Sequence, residues 1–273
     1  MDILNRLLPQ RFRTVDDLLA FISIYDDRNR TKAYHSLLRA HRKQIRDSVC
    51  VEGGCGLALF SVELARLGAR KVYAIEQNPL LARLAQKRID RLPERLRKRI
   101  EIVDQSLQQF RPREPVSVLV HEFYGQLLYD EDLWVLERLR FKPNLVLPNG
   151  GELWAGAVSS ASYKDRVVTP EIVQNLNRVL VSGLFQERFN ELKMPVLRWR
   201  YGVGLRPVRH DFKKLRGDLL CLGLRVIHDT KTVCEAGKCP NWSYVWTHRA
   251  GNEISFSFRK SGGTMESDFR WVR

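Results

Sequence analysis

The chain has 273 residues with 44% hydrophobic content, enough to bury the core of one large domain or two modest ones. No segment approaches the roughly 18 consecutive apolar residues of a membrane span, and the N-terminus lacks an uninterrupted apolar signal region. We therefore expect a soluble, cytoplasmic protein without membrane contact. Five cysteines argue against a disulfide framework and for a reducing compartment, while the formal net charge of +15 predicts attraction to polyanions.

The first half of the chain alternates short apolar runs with amphipathic segments. Two helices are expected near the N-terminus, at residues 15–24 and 31–42. From residue 48 the order becomes strand, helix, strand, helix, which predicts an α/β architecture with a parallel sheet wrapped by helices. The expected strands are residues 48–52, 71–76, 100–104 and 116–122, and the expected helices are residues 57–67, 80–90 and 133–140.

The densest basic stretch falls on the helical segments of this half. Its leucines and isoleucine recur at helical spacing, which favours a solvated helix face packed on a sheet. Weak nucleic-acid contact is the alternative, although no helix-turn-helix, RNA-binding aromatic signature or zinc finger accompanies the charge. The basic residues are Arg83, Lys87, Arg88, Arg91, Arg95, Arg97, Lys98 and Arg99.

The pattern changes after residue 143. Strand-like segments follow without intervening helices and should pair antiparallel into a barrel or sandwich. Residues 170–192 are the exception, because their apolar residues fall near helical periodicity and predict an arm. We expect one domain over residues 1–148, including the N-terminal helices, and a β-rich domain over residues 149–273. The expected strands are residues 152–160, 197–206, 219–228, 242–246 and 253–259.

One candidate metal site lies in this second half. Cys234 and Cys239, with His228 nearby, are residue types that bind zinc. The spacer between the two cysteines is explained more simply as a hairpin tip, and a matching second ligand pair is missing. We therefore expect no metal.

A glycine turn connects the first expected strand to a helix. Residues 49–52 end in Glu52, and Gly53-Gly54-Cys55-Gly56 follows. Such glycines occur in ordinary tight turns, but they also let the backbone approach a ligand closely. The next strand ends in Glu76, twenty residues beyond Gly56, a spacing at which a carboxylate accepts hydrogen bonds from ribose hydroxyls. Because the full glycine pattern that admits a pyrophosphate is absent, a phosphate-free adenosine cofactor such as S-adenosylmethionine is favoured.

Two carboxylates follow the apolar run at residues 116–120. Glu122 would lie at the carboxyl end of that strand, and a short hairpin through Gly125 could bring Glu131 back to face it. A pair of carboxylates matches the planar fork of donors on a guanidinium group. The spacing thus predicts a two-carboxylate clamp for an arginine side chain.

These motifs together resemble the protein arginine methyltransferases, a family of class I S-adenosylmethionine-dependent methyltransferases. The glycine turn and residues 69–76 resemble the family's cofactor motifs, residues 122–131 its double-glutamate loop, and residues 27–34 its helix before the first strand. The resemblance implies a Rossmann-like sheet followed by a β-barrel-like domain with a helical arm. It also implies catalytic roles for Glu122 and Glu131, and cofactor-binding roles for Arg30, Glu52, Gly54, Gly56, Glu76, Leu107 and Gln108.

Several positions depart from the family's pattern. Its paired lid aromatics, in a Tyr-Phe-x-x-Tyr pattern, are missing, and Phe12 and Phe21 are the nearest candidates. An acid is usual where this chain has Gln108. The family's Thr-His-Trp loop is replaced by a segment containing Asn241 and Trp242, which we expect, with Tyr124, to contact the acceptor.

We therefore expect a divergent arginine N-methyltransferase. Its acceptor would be an arginine-containing protein or peptide, and the family's dimerisation through the arm implies a homodimer. One alternative keeps the chemistry but uses free arginine or a small guanidino metabolite. The other is a non-catalytic cofactor-binding scaffold or a nucleic-acid-associated protein, motivated by the missing loop histidine and the +15 charge.

Overall fold

Five parallel strands form the sheet of the N-terminal half in the computed structural model, which describes residues 8–162, 167–182, 192–261 and 264–272. The strands are β1 (Val49–Gly53), β2 (Lys71–Glu76), β3 (Ile100–Asp104), β4 (Val118–His121) and β5 (Leu145–Leu147). Their order is β3-β2-β1-β4-β5, and every neighbouring pair is parallel. Every residue of β1 and β4 is buried, as expected for strands covered on both faces.

Helices cover this sheet and precede it. They are α1 (Pro9–Asp26), α2 (Arg28–Ala40), α3 (Arg42–Ile45), α4 (Leu59–Arg66), α5 (Pro79–Asp90) and α6 (Glu94–Arg97), with a 3₁₀ helix at Asp132–Arg138. The side chain of Asp27 caps α2 by accepting a hydrogen bond from the Arg30 amide. Asn78 caps α5 in the same way, and a proline occupies the first turn. The start of α5 lies one residue before the predicted start at residue 80, whereas α2 begins three residues before the predicted start at residue 31.

The chain reverses its direction across the sheet between β1 and β4. After β1 it continues outward through β2 and β3, then returns to place β4 on the other side of β1. In parallel sheets a crevice opens at the carboxyl ends of the strands where this reversal occurs. Glu52 is the penultimate residue of β1, Glu76 is the last residue of β2, and Glu122 directly follows β4. The topology thus gathers three acidic side chains at one edge.

The C-terminal half is built from antiparallel sheets. Its strands are β6 (Gly150–Val158), β7 (Val181–Ser182), β8 (Met194–Arg200), β9 (Val208–Asp211), β10 (Leu219–His228), β11 (Lys231–Glu235), β12 (Val245–His248), β13 (Glu253–Ser261) and β14 (Thr264–Trp271). One sheet has the order β7-β12-β10-β6-β8 with β11 also paired to β10, and the other has the order β14-β13-β9. The predicted α/β half followed by a β-rich half is confirmed.

Two predicted helices differ in the structure. Residues 133–140 form the 3₁₀ helix Asp132–Arg138 rather than an α-helix. Within the predicted arm, the structure describes only α7 (Pro170–Gln174) and the short strand β7, and residues 183–191 lie outside the described residues. In the described part of the predicted arm, helix is limited to α7, because the chain leaves it after five residues and later pairs β7 with β12.

The cysteines give a mixed outcome. Cys234 and Cys239 form a local disulfide with their Cα atoms 6.3 Å apart, whereas Cys50, Cys55 and Cys221 are buried and outside any disulfide. A single local bridge is not a framework, but the disulfide was not expected. Among the described residues no group of three or more His, Cys, Asp or Glu side chains could hold a metal ion. His228 instead contacts His41, with the two Nε2 atoms 3.1 Å apart.

No helix in the described part of the chain is long and apolar enough to cross a membrane.

Candidate active site at the carboxyl edge of the parallel sheet

The glycine turn after β1 has a conformation that requires glycine. Gly54 and Gly56 have φ angles of +63° and +53°, which residues with a Cβ rarely adopt. A Cβ at Gly54 would also lie 2.6 Å from the ring of Phe123. The aromatic ring after β4 therefore packs directly on the turn, and larger residues would separate the two.

The carboxylate of Glu76 holds this turn against β2. Its Oε2 accepts a hydrogen bond from the Gly56 amide at 2.8 Å, and its Oε1 accepts one from the Asn78 amide at 2.8 Å. Burial raises the pKa of Glu76, and the backbone donors oppose that increase. The side chain is thus oriented toward the crevice with little freedom to move.

Glu52 has a different environment from that of Glu76. Its oxygens accept hydrogen bonds from the amides of Phe60 and Ser61 at 3.2 and 2.6 Å, and from the Ser61 hydroxyl. Burial raises the pKa of Glu52 to about 7, although the donors from Ser61 and Phe60 lower it. Its observed bonds anchor the start of α4, while the residue also lines the crevice.

Arg30 projects from α2 into the same crevice. It is 2% exposed, and its Nη1 donates to Glu122 Oε2 at 2.8 Å while its Nη2 donates to the carbonyl of Ile24 at 2.9 Å. The Nε atom is buried and has no hydrogen-bond partner within the described residues. A buried donor of this kind is costly unless an acceptor reaches it. The site therefore has an unused cationic donor.

The loop after β4 folds back on itself at Gly125, as predicted. Gly125 and Leu128 form an antiparallel bridge, and the Leu128 amide donates to the Gly125 carbonyl at 2.9 Å. Asp130 Oδ1 accepts from the Leu127 amide at 2.9 Å, which closes the loop. The return brings Glu131 against Gly125: a Cβ added to Gly125 would lie 3.1 Å from Glu131 Cγ.

Both glutamates of this loop have raised pKa values. Burial raises the pKa of Glu122 to about 7, with Arg30 lowering it and Asp27 raising it. For Glu131, burial of the carboxyl group and then the charges of Asp130 and Glu122 raise the pKa to about 8, although the residue as a whole is exposed. The charge of Glu122 is among the causes that raise the pKa of Glu131, as expected when two like charges oppose each other's ionisation.

These elements enclose a cavity of about 560 Å³, within the usual size range of small-molecule sites. Its charged lining consists of four carboxylates, Glu52, Glu76, Glu122 and Asp132, and two cations, Arg30 and Lys260. The cavity is therefore acidic inside a chain of net charge +15. Of the predicted cofactor residues, Arg30, Glu52, Gly54, Glu76, Leu107 and Gln108 line it; Gly56 contributes through its bond to Glu76.

The three predicted acceptor contacts lie behind this cavity and do not line it. The Tyr124 hydroxyl donates to the Gly150 carbonyl at 2.9 Å, and the indole of Trp242 donates to the Tyr124 carbonyl at 3.3 Å. The main-chain amide of Asn241 donates to Asp27 Oδ2 at 3.0 Å. Glu131 is also absent from the wall, although its neighbour Asp132 belongs to it.

One residue of the site, Tyr25, was not found from the sequence. Phe21 and Tyr25, one turn apart on α1, both line the cavity, and the Tyr25 hydroxyl accepts from the Leu57 amide at 2.9 Å. Phe21 was a predicted lid candidate, whereas Phe12 is 40% exposed and lies outside the wall. The aromatic residues at i and i+4 were the available signal.

A second group reaches the cavity from the other half of the chain. Lys260 of β13 lines it with Trp134, and the Lys260 Nζ lies 4.5 Å from the Trp134 ring centre. No sequence pattern connects a lysine in a late strand to a cofactor crevice. Only the packing of the C-terminal sheet brings it there.

Replacing Gly125 by alanine tests the loop geometry. The added Cβ would lie 1.9 Å from Asp130 Oδ1 and 2.6 Å from its Cγ, so the return segment carrying Glu131 must move. We expect any reaction that depends on Glu131 to be slowed at least ~10-fold, since displacements of about 1 Å can cost about 10²-fold. Gly202→Ala is the matched control because nothing lies within 4 Å of its Cβ, although its φ of +83° adds backbone strain. Equal activities of the two variants would contradict the proposed loop geometry.

Comparisons with known proteins agree with the motifs. No family model matches the chain. It is 28% identical over 140 residues to a probable protein arginine N-methyltransferase 6.1 of Oryza sativa subsp. indica, covering 50% of this chain and 36% of that protein. It is 26% identical over 146 residues to protein arginine N-methyltransferase 1 of Schizosaccharomyces pombe, covering 51% and 42%. The matches thus span less than half the length of these relatives.

The fold is shared over nearly the whole chain. The Trypanosoma brucei PRMT1 enzyme–prozyme heterotetrameric complex with AdoHcy contains a chain that superposes with a TM-score of 0.67 at 12% identity. The superposition covers 92% of this chain and 93% of that one. The resemblance to protein arginine methyltransferases is confirmed, and so is the Rossmann-like sheet followed by a barrel-like C-terminal half.

Proposed function

We propose that the protein is an S-adenosylmethionine-dependent arginine N-methyltransferase. The observation that carries this proposal is the position of the loop containing Glu122 and Glu131. It follows the central strand β4, which places Glu122 in the wall of the acidic cavity, and turns back at Gly125 to return Glu131 beside that glycine, one residue before the cavity-lining Asp132. The sequence relatives support the same chemistry.

The cavity fits the proposed cofactor. The buried and unpartnered Nε of Arg30 is suited to a carboxylate, which the methionine part of S-adenosylmethionine carries. Glu76, Leu107 and Gln108 lie on the side of β2 and β3, where the ribose and adenine would bind. When bound, the cofactor supplies an electrophilic methyl group. We propose the cofactor role of Glu52 to be indirect, through the start of α4.

The acceptor would be a guanidinium group. It is protonated at cellular pH and poorly nucleophilic because its lone pairs are delocalised. Two ionised carboxylates can orient it, localise its charge on the nitrogens they bind and accept the proton released on methylation. The acidic cavity resolves a difficulty raised by the net charge, since a basic peptide approaching a chain of charge +15 needs a local region of opposite sign.

Tyr124, Asn241 and Trp242 do not line the cavity, but their contacts position residues that do. Tyr124 and Trp242 pack edge to face, with ring centres 6.3 Å apart, and the loop containing Asn241 binds Asp27 at the cap of α2. These contacts hold Arg30 and the Glu122 loop in place from behind. We therefore propose that Tyr124, Asn241 and Trp242 act on the acceptor through these neighbours.

A direct assay tests the function. The purified chain is incubated with radiolabelled S-adenosylmethionine and a peptide containing one arginine, with the same peptide carrying lysine as control. We expect label on the arginine peptide alone, and mass spectrometry of the product then gives the number of methyl groups. Free arginine as a third acceptor separates peptide from small-molecule methylation. Cofactor binding without transfer to any guanidino acceptor would instead identify a non-catalytic scaffold.

We also propose a homodimer of two-domain chains in the cytoplasm. The parallel sheet ends at Leu147 and the first antiparallel strand begins at Gly150, which supports a division near residues 148 and 149.

The proposed dimer rests on exposed apolar surface. Three large apolar side chains are more than half exposed: Leu19 and Ile22 on α1, and Ile172 in α7. A partner chain would cover such surfaces. Sedimentation velocity would contradict the dimer if the chain remained monomeric at micromolar concentration.

A further inference from the structure

A second cavity, of about 700 Å³, lies at the opposite edge of the parallel sheet. Its lining comes from the segments that precede β1 and β3 and from the end of α4, so it lies at the amino ends of the strands. The acidic cavity lies at their carboxyl ends. We call the second cavity the arginine groove; its charged lining consists of Arg42, Arg46, Arg66, Arg95, Arg99 and one carboxylate, Asp47.

Most of the positive charges of the groove have no carboxylate partner in the part of the chain that the structure describes. Arg42, Arg66 and Arg95 are exposed and have no carboxylate partner among the described residues. Asp47 Oδ2 lies 3.5 Å from Arg46 Nε, but both side chains are at least 70% exposed. The attraction within such an exposed ion pair is weak. An excess of cations therefore surrounds one concave surface.

The groove also has a preformed shape. Its floor is apolar, formed by Leu67, Leu92 and Leu96 at the ends of helices that pack on the sheet. Arg99 is held by a bond from its Nη1 to the Ala69 carbonyl at 3.1 Å, and Arg46 packs its aliphatic part near Gly68. Like charges gathered on a concave surface repel one another and concentrate a positive potential. A bound anion would relieve that repulsion.

The chemistry of the lining indicates the type of anion. All five cations are arginines, whose planar forks bind phosphate oxygens in pairs, and no lysine is among the described lining residues. The same lining contains no aromatic ring on which a base could stack. The groove is therefore suited to phosphate groups and not to the reading of bases.

We propose that the arginine groove binds a phosphate-bearing polyanion. Two sources share this chemistry: the backbone of a nucleic acid, bound without sequence preference, and a compact polyphosphate. The net charge of +15 favours the association of either. The proposal does not depend on methyl transfer, since the groove shares no residue with the acidic cavity.

The test compares two triple variants of the full chain. Arg42→Gln/Arg66→Gln/Arg95→Gln removes three groove charges, and Arg113→Gln/Arg140→Gln/Arg206→Gln removes three exposed charges elsewhere. Fluorescence anisotropy measures binding of a labelled 20-nucleotide single-stranded RNA over a range of salt concentrations. Calorimetry with inorganic tripolyphosphate forms the second arm. Because all six arginines are exposed, both proteins should fold, which thermal unfolding verifies.

We expect the groove variant to bind RNA at least ~10-fold more weakly, and its slope of log K against log salt to flatten by about 2, from ~0.7 per lost phosphate contact. The control variant should change much less. Loss of tripolyphosphate binding in the groove variant, with RNA binding unchanged, would identify a compact polyphosphate as the ligand. Equal effects of the two variants in both arms, or no binding of either probe by the unaltered protein, would overturn the proposal.

Discussion

Replacement of Glu131 by glutamine is expected to lower kcat/KM for arginine methylation about 10²- to 10³-fold, the usual effect of removing a group that stabilises transition-state charge. Glutamine keeps the shape of the side chain but cannot balance the guanidinium charge or accept its proton. Stability should be little affected, because Glu131 is an exposed residue and forms no salt bridge with the described residues. We expect Tm within ~2 °C of the unaltered protein.

The control for this variant is Glu94→Gln, which removes an exposed carboxylate of α6 far from the acidic cavity. Its activity should match that of the unaltered protein. A Glu131→Gln protein that is folded, binds the cofactor and methylates at an unchanged rate would exclude the clamp mechanism.

The pH dependence of the unaltered enzyme follows from the same two carboxylates. The clamp needs both ionised, and their pKa values are raised to about 7 for Glu122 and about 8 for Glu131. Because an acid with a raised pKa stays protonated until higher pH, kcat/KM should rise between about pH 6 and pH 9. The two groups interact, so the profile reports values for the pair.

The Glu131→Gln variant separates the two ionisations. Its residual activity should retain only the rise centred near pH 7, which we attribute to Glu122. Glu52 also has a pKa near 7, but it binds the start of α4 and is unchanged in both proteins. A profile of identical shape for both proteins would show that Glu131 does not titrate in the reaction.

The second large effect is expected for Arg30→Met, which should weaken binding of S-adenosylhomocysteine about 100-fold in calorimetry. The substitution removes the unpartnered Nε donor, and a bond to a charged group contributes about 1.5–3 kcal/mol. It also leaves the carboxylate of Glu122, a side chain that is only 15% exposed, without its ion-pair partner. Breaking a buried pair typically costs about 3–5 kcal/mol, so Tm should fall as well.

Two further variants distinguish lost binding from lost stability. Arg30→Lys keeps a cation near Glu122 but lacks the fork, so it should be more stable than Arg30→Met while still binding the ligand at least ~10-fold more weakly. Arg28→Met alters an exposed arginine of the same helix and should bind normally. Normal affinity in Arg30→Met would remove Arg30 from the cofactor site, whereas normal affinity in Arg30→Lys alone would show that the planar fork is not needed.

Much of the fold could be predicted because the local signals and the tertiary contacts agree. The bounds of β2, β3 and β10 coincide with the sequence prediction, since each is a short apolar run between turns. For the predicted helix at 133–140 and for the arm, the secondary structure differs from the local signal. Their apolar residues have helical spacing, but the observed chain forms a 3₁₀ helix in one and a short helix followed by a strand in the other.

The candidate site divides in the same way. Glu76 and Glu122 could be located because parallel strands place their carboxyl ends at one edge, and Gly125 indicated the hairpin that returns Glu131. The partners of Arg30 could not be predicted. Its contact with Glu122 joins residues 92 positions apart, and a sequence carries no signal for which of several acids a buried arginine will bind.

The sequence by itself determined the local motifs of the candidate site: the glycine turn, the acidic residues at the strand ends and the pair of glutamates. Each of these motifs depends on residues that are close together in the chain. Only the tertiary structure decided how the charges are divided between two surfaces. It places an acidic cavity at the carboxyl edge of the sheet and five arginines at the amino edge. The reason is physical: burial and distance set the effect of a charge, and both are properties of the folded chain.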